Sequence, residues 1–219
     1  MAAVVMCALI GLSAACGTSS AAATPPSAAG AGGGSAGGNA RSGPASGGTS
    51  GTVVSVSTSS FTMSTSAGQK VTVDESSSTT YQKGTSSISA SAITTGEDVL
   101  VLGMTSGTTI TATQVIVQPT GGGGSATSAA AGVIPFQPGA PTTSKQVGQI
   151  PANYSQGSGT IVSGTTANKA TEAALAAYPG GIVDRVVQLS SGEYEVHYIG
   201  VNWPHHIFVN QDFKVVGAN

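Results

Sequence analysis

The chain has 219 residues, only 7% of them charged, and a formal net charge of −2. That balance excludes the basic surface needed to neutralise a phosphate backbone, so nucleic acid is not an expected partner. With 32 glycines and 10 prolines, one large hydrophobic core is excluded in favour of small folded units and linkers, and the two cysteines, Cys7 and Cys16, lie too near the start to build a disulfide framework or Cys-rich metal site in the body.

Residues 2–12 are almost wholly apolar, about the length of a signal-peptide hydrophobic region and too short to cross a bilayer core of ~30 Å as a helix. They lead into Leu12-Ser13-Ala14-Ala15-Cys16-Gly17. Small residues before a cysteine, directly after an apolar run, resemble the lipobox of bacterial lipoproteins. The resemblance implies that Cys16 is acylated and becomes the new N-terminus, held at a membrane by several acyl chains. The same residues also read as an ordinary Ala-x-Ala-like cleavage site, which would leave a freely secreted protein. Residues 1–16 are therefore expected to be a signal peptide with a lipobox. Residues 17–50, with runs such as Gly32-Gly33-Gly34, are expected to be a disordered tether.

Residues 51–118 change texture to short alternating stretches of β-formers at 52–56, 60–64, 70–73, 99–102 and 108–117. Val53, Phe61, Met63, Val71, Val73, Leu100, Leu102, Ile110, Val115 and Val117 are the expected inward face, with Ser and Thr turned to water. Ser66-Ala67-Gly68 and Thr105-Ser106-Gly107 supply turns. The order Gly51-Thr52-Val53-Val54, Val71-Thr72-Val73, Gly96-Glu97-Asp98-Val99-Leu100-Val101-Leu102-Gly103 and Thr111-Ala112-Thr113-Gln114-Val115 resembles a family of small bacterial export-associated β domains of unknown function. That resemblance implies a small OB-like β barrel and brings no activity with it. Lys70 and Lys83 as cations, with Phe61 and Tyr81 as aromatics, are too few for the stacking platform and basic groove of an oligonucleotide-binding barrel.

Residues 119–164 read as a second, Gly/Pro-rich linker, opening at Gly121-Gly122-Gly123-Gly124 and passing Pro135, Pro138, Pro141 and Pro151. Within it, Val133-Ile134-Pro135-Phe136 is an isolated apolar cluster able to dock on either folded unit or remain exposed.

Residues 165–219 begin with the one good helix pattern, capped at Thr166, propagated by alanines and stopped at Pro179-Gly180-Gly181. Ala170, Ala174, Ala177 and Tyr178 recur at helical spacing and would pack as a flat face on a sheet. Strands are expected at 182–189, 194–199, 205–209 and 213–216, giving an α+β unit of one helix on a three- or four-stranded antiparallel sheet. The order Ala-Ala-Leu-Ala-Ala-Tyr-Pro-Gly-Gly-Ile-Val from Ala173, then Tyr194-Glu195-Val196-His197, then Phe208 to Gly217, resembles PepSY-like domains. It implies an extracytoplasmic binding module and, as an alternative role, an inhibitor or regulator of a secreted metallopeptidase.

The expected fold class is thus mainly β plus α+β, with the two folded units joined by disordered linkers. His197, His205 and His206 fall on neighbouring strands with Glu195 on the side of His197, so a Zn²⁺ or Cu²⁺ site is geometrically conceivable. Adjacent strand residues point to opposite faces, however, and the expectation is ordinary imidazoles with no metal and no cofactor. No Ser or Thr sits in a nucleophile elbow, and the pairs Asp74-Glu75 and Glu97-Asp98 read as solvated turn charge. Trp203-Pro204, with Tyr194 and Tyr198, is the expected partner-binding patch, the lone Trp203 reading either as a core anchor or as an interface hot spot. These readings converge on a non-catalytic, lipid-anchored, extracytoplasmic binding protein of the cell envelope. Its expected partners are the membrane, through the anchor, and an envelope protein or peptidase.

Overall fold

Alternation of β-branched and hydroxyl-bearing residues sets the first half of the fold. The computed structural model describes residues 43–119 and 145–219. The signal peptide, Cys16, most of the tether and the apolar cluster at 133–136 lie outside the described residues. The first seven strands are β1 (Ala45–Val56), β2 (Ser60–Ser64), β3 (Lys70–Asp74), β4 (Thr80–Lys83), the two-residue β5 (Ser86–Ser87), β6 (Asp98–Ser106) and β7 (Thr109–Val117). Five of them close a ring in the order β1, β2, β3, β7, β6 and back to β1. Every pair in the ring is antiparallel except β3 with β7, which is parallel. Closure leaves no free edge in the ring, and Phe61, Met63, Val71, Val73, Val101 and Ile110 fill its interior.

Two expectations change here. Leu100 and Leu102 do not face the barrel interior. Val99 and Val101 do, while Leu100 and Leu102 point outward into a second core. The physical reason is that β6 is buried on both faces from Val99 to Gly103, so neither register of the alternation reaches water there. The first strand also begins at Ala45, inside the stretch read as tether.

That early start has a packing cause. A side chain at Gly47 would place its Cβ 2.0 Å from the Val183 carbonyl oxygen, and one at Gly48 would meet the Val101 carbonyl oxygen at 2.2 Å. Bare backbone at these positions lets β1 lie between two neighbours. It pairs with β6 from Ala45↔Thr105 to Thr52↔Asp98, and at Gly48↔Val183 with a strand of the C-terminal half.

That half comprises β8 (Val147–Gly148), β9 (Thr160–Ile161), α1 (Gly164–Ala177), β10 (Ile182–Gln188), β11 (Tyr194–Ile199), β12 (His206–Val209) and β13 (Val215–Ala218). Strands β10 to β13 form an antiparallel meander, with β8 against β13 and β9 against β10. The part of the expected linker from Lys145 onward is therefore built into the sheet. The last strand starts at Val215 because Phe213 adopts φ 57° in a turn whose Asn210 Oδ1 accepts the Asp212 and Lys214 N–H groups.

The helix begins after Ser163, whose side chain makes no capping bond, so Thr166 lies inside the first turn instead of capping it. From Ala170 to Ala176 every helical residue is buried, where one flat buried face was expected. The helix is enclosed because Ala167, Ala170, Ala174 and Leu175 share one core with Leu100, Leu102 and Ile116 of the barrel wall and with Val186, Val196 and Ile207 of the meander. Small side chains allow that close approach on more than one side. In return, Ile182 and the partly buried Ile199 reach from β10 and β11 into the barrel core.

Candidate functional site

The face of the meander turned away from α1 carries charge, and its geometry starts from an irregularity. Between Val183 and Arg185 the β10–β11 register shifts, leaving Asp184 as the extra residue of a bulge. A bulge bends its strand and re-aims side chains. Here Asp184 reaches His197, with Nδ1 to Oδ1 at 2.6 Å, while its Oδ2 accepts from Arg185 Nη1 at 3.0 Å.

One strand over, His206 stands directly opposite His197 in the β11–β12 ladder. Its Nδ1 lies 2.6 Å from Glu195 Oε1, and the two imidazole centres are 5.1 Å apart. Glu195 is 1% exposed, and its Oε2 has no hydrogen-bond partner. Tyr154, from the segment before β9, covers this pair. Its hydroxyl donates to Glu195 Oε1 at 3.0 Å and its ring packs edge-on against Phe208 at 4.8 Å. Burial, and then the Glu195 charge, push the Tyr154 phenol well above its ordinary pKa of 10.

A carboxylate at neutral pH only accepts, so each 2.6 Å contact requires the imidazole Nδ1 to carry the proton. Nε2 is left as the free nitrogen of both rings, and both rings line an open cleft of about 560 Å³ shared with Trp203 and the exposed His205. His205 stands apart from the two carboxylate-bound histidines, with its Nδ1 3.4 Å from the Tyr198 carbonyl oxygen.

Trp203 is half-buried. It packs edge-on against Tyr178 at 5.6 Å, its indole N–H donates to the Lys145 carbonyl at 2.6 Å, and Pro204 follows it through a cis bond. It also borders a second open cleft of about 550 Å³, whose other wall is the barrel turn Ser66, Ala67 and Gln69.

The other members of the expected contact patch lie inside the protein, which is a correction. Tyr198 is 1% exposed and donates its hydroxyl to the Tyr178 carbonyl at 3.0 Å, because β11 turns it toward the helix. Tyr194 is 9% exposed under a parallel stack with Phe213. Only Trp203 of that patch presents a surface. The turn carboxylates bind their neighbours: Glu75 accepts from Tyr81 at 2.7 Å, Asp98 from Thr52 at 2.6 Å, and Glu97 faces Lys83 at 3.8 Å.

Asp184, Arg185 and Tyr154 were not foreseen as members of this network. A charged pair interrupting the apolar run Ile182-Val183-Asp184-Arg185-Val186-Val187 is the one trace of it in the sequence. Compared with known protein families, with curated proteins and with solved structures, the chain matches none.

Proposed function

We propose that this chain is a non-catalytic binding protein held on the extracytoplasmic face of a membrane by lipid at Cys16, engaging an envelope partner at Trp203. The observation carrying the binding half of this reading is the setting of Trp203. It is the one tryptophan of the chain, anchored through its ring edge and indole N–H, and it retains surface on the rim of two clefts. A rigid, half-buried aromatic between concavities is the usual anatomy of a binding hot spot. The anchoring half rests on the apolar run and small residues that precede Cys16.

The ring order β1-β2-β3-β7-β6, joined through parallel β3 and β7, supports reading the barrel as OB-like. The helix followed by an antiparallel meander supports a PepSY-like reading of the C-terminal half. Neither brings a reaction, and Lys83 is already committed to Glu97, which leaves little basic surface on the barrel for nucleic acid.

The test joins both halves. Wild type and Cys16→Ala, expressed in a lipoprotein-processing bacterium, are fractionated and weighed intact. A membrane-bound chain with a diacylated N-terminus at Cys16, lost in the variant, is the expected result; an unmodified chain starting at Met1 in the cytoplasm overturns the anchor. A photoreactive residue placed at the exposed Asn202 should give a discrete envelope adduct that Trp203→Ala abolishes without changing the circular dichroism. No adduct, or one indifferent to Trp203, overturns the binding surface.

A further inference from the structure

We infer that His197 and His206 together form a binding site for a late first-row divalent cation, Zn²⁺ or Cu²⁺, opening onto the cleft beside Trp203. The inference stands on local geometry and holds whether or not the chain is anchored at a membrane.

Three observations carry it. The first is orientation: each imidazole gives its Nδ1–H to its own carboxylate, His197 to Asp184 and His206 to Glu195, at 2.6 Å in both cases. Metal-binding histidines are held in this way, since the carboxylate fixes the tautomer and makes the other nitrogen a better donor.

The second is spacing. An imidazole centre lies about 3.2 Å from a metal bound at ~2.0 Å by its nitrogen, so two rings sharing one ion at roughly 90–110° have centres about 4.5–5.2 Å apart. The observed separation is 5.1 Å.

The third is charge. Asp184 and Glu195 bring two carboxylates behind the rings, and the ion pair that Arg185 makes, at 3.0 Å, is with the first. Glu195 is buried, with His206 and Tyr154 on Oε1 and nothing on Oε2. A buried carboxylate satisfied this poorly is costly unless positive charge comes near it, and a dication across His206 supplies that charge.

Asp184 and Glu195 lie on the Nδ1 side of the rings, and among the described residues no group of three or more His, Cys, Asp or Glu is placed to hold a metal ion. The site therefore offers two nitrogens and leaves its remaining positions to water or to a group from outside. That is the pattern of an exchangeable site, whereas structural zinc sites are closed by four protein ligands.

The experiment titrates the full chain with CuCl₂ and separately with ZnCl₂, following heat by calorimetry and the Cu²⁺ sample by electron paramagnetic resonance. One equivalent of tightly bound Cu²⁺ with hyperfine structure from two imidazole nitrogens is expected. His197→Ala and His206→Ala should each remove one nitrogen and weaken binding by more than tenfold, and His205→Ala should leave the spectrum unchanged. Asp184→Asn keeps both ligands and should still cost about 10–100-fold in affinity, the range for losing a carboxylate behind a ligating histidine. This variant decides the matter even where a histidine variant fails to fold. Absence of a bound equivalent, a spectrum indifferent to His197 and His206, or a nitrogen count that follows His205 overturns the site.

Discussion

Tyrosine hydroxyls are where single residues of this protein carry the most legible energetics. Burial and the bond to Glu75 push the Tyr81 phenol up to about 12, and burial alone does the same to Tyr178. Burial raises the wholly enclosed Tyr198 well above its ordinary value as well. A folded-state pKa above the unfolded value means that the unfolded chain releases its protons first as the pH climbs. The stability that Tyr81 and Tyr178 contribute is complete below about pH 10 and is lost between about 10 and about 12. Urea midpoints measured across that window should hold level and then fall, with phenolate absorbance rising together with unfolding. Early phenolate absorbance from folded protein would contradict the burial of these rings. Tyr154 itself could not be picked out in advance. A tyrosine amid Gly, Ser and Pro looks like linker, and only the position of Glu195 and Phe208 across the sheet gives it a role.

At the scale of elements, β1 joins the two halves, and its glycines are the means. An alanine at Gly47 would drive its Cβ against the Val183 carbonyl, a backbone atom with no rotamer to yield. Gly47→Ala should therefore destabilise the fold by more than about 2 kcal/mol, the scale of overpacking at a fixed contact, as read from urea denaturation. Serine or alanine at the open turn position Gly107, where no atom lies within 4 Å, meets only the strain of its φ of 58° and should cost less. The strands themselves are readable, and β2 falls where alternation places it because it has one clean apolar face. The facing of strand β6 is not readable in this way, since Val99-Leu100-Val101-Leu102 is apolar throughout and alternation carries no phase information. The bulge at Asp184 was invisible in the same way: an extra residue reverses the facing of everything after it, and nothing local announces it. The candidate site was therefore legible in its histidines and hidden in the carboxylates that orient them.

At the scale of the whole described molecule, the barrel and the helix-covered meander share one sheet, and each sends side chains into the other's core. Leu100 and Leu102 leave the barrel wall to pack with α1, and Ile182 returns the contact from the other side. Surface buried between the halves belongs to the stability of both, so they should unfold together. Trp203 fluorescence, reporting the C-terminal half, and far-ultraviolet dichroism, dominated by strands, should give superimposable denaturation curves. A fragment of residues 145–219 alone would expose the barrel-facing side of α1 and should show the narrow amide dispersion of an unfolded chain by NMR. Well-dispersed resonances from that fragment would show instead that the second half stands unaided. The composition pointed to separate small units because it reports how much apolar surface exists, not which surfaces meet.

The place of β1 at the start of the described fold has a mechanical side. With the anchor proposed at Cys16, any pull on the tether enters through Ala45. A load along that strand meets the ladder to β6, from Ala45↔Thr105 to Thr52↔Asp98, and the pairing at Gly48↔Val183 on the opposite edge. Because these bonds run across the strand, such a load strains them in shear and must break many at once, where peeling would open them one at a time. If the chain is anchored at Cys16 as proposed, β1 takes that load in shear through both of its ladders, and the force needed to unfold the chain from that end should be high.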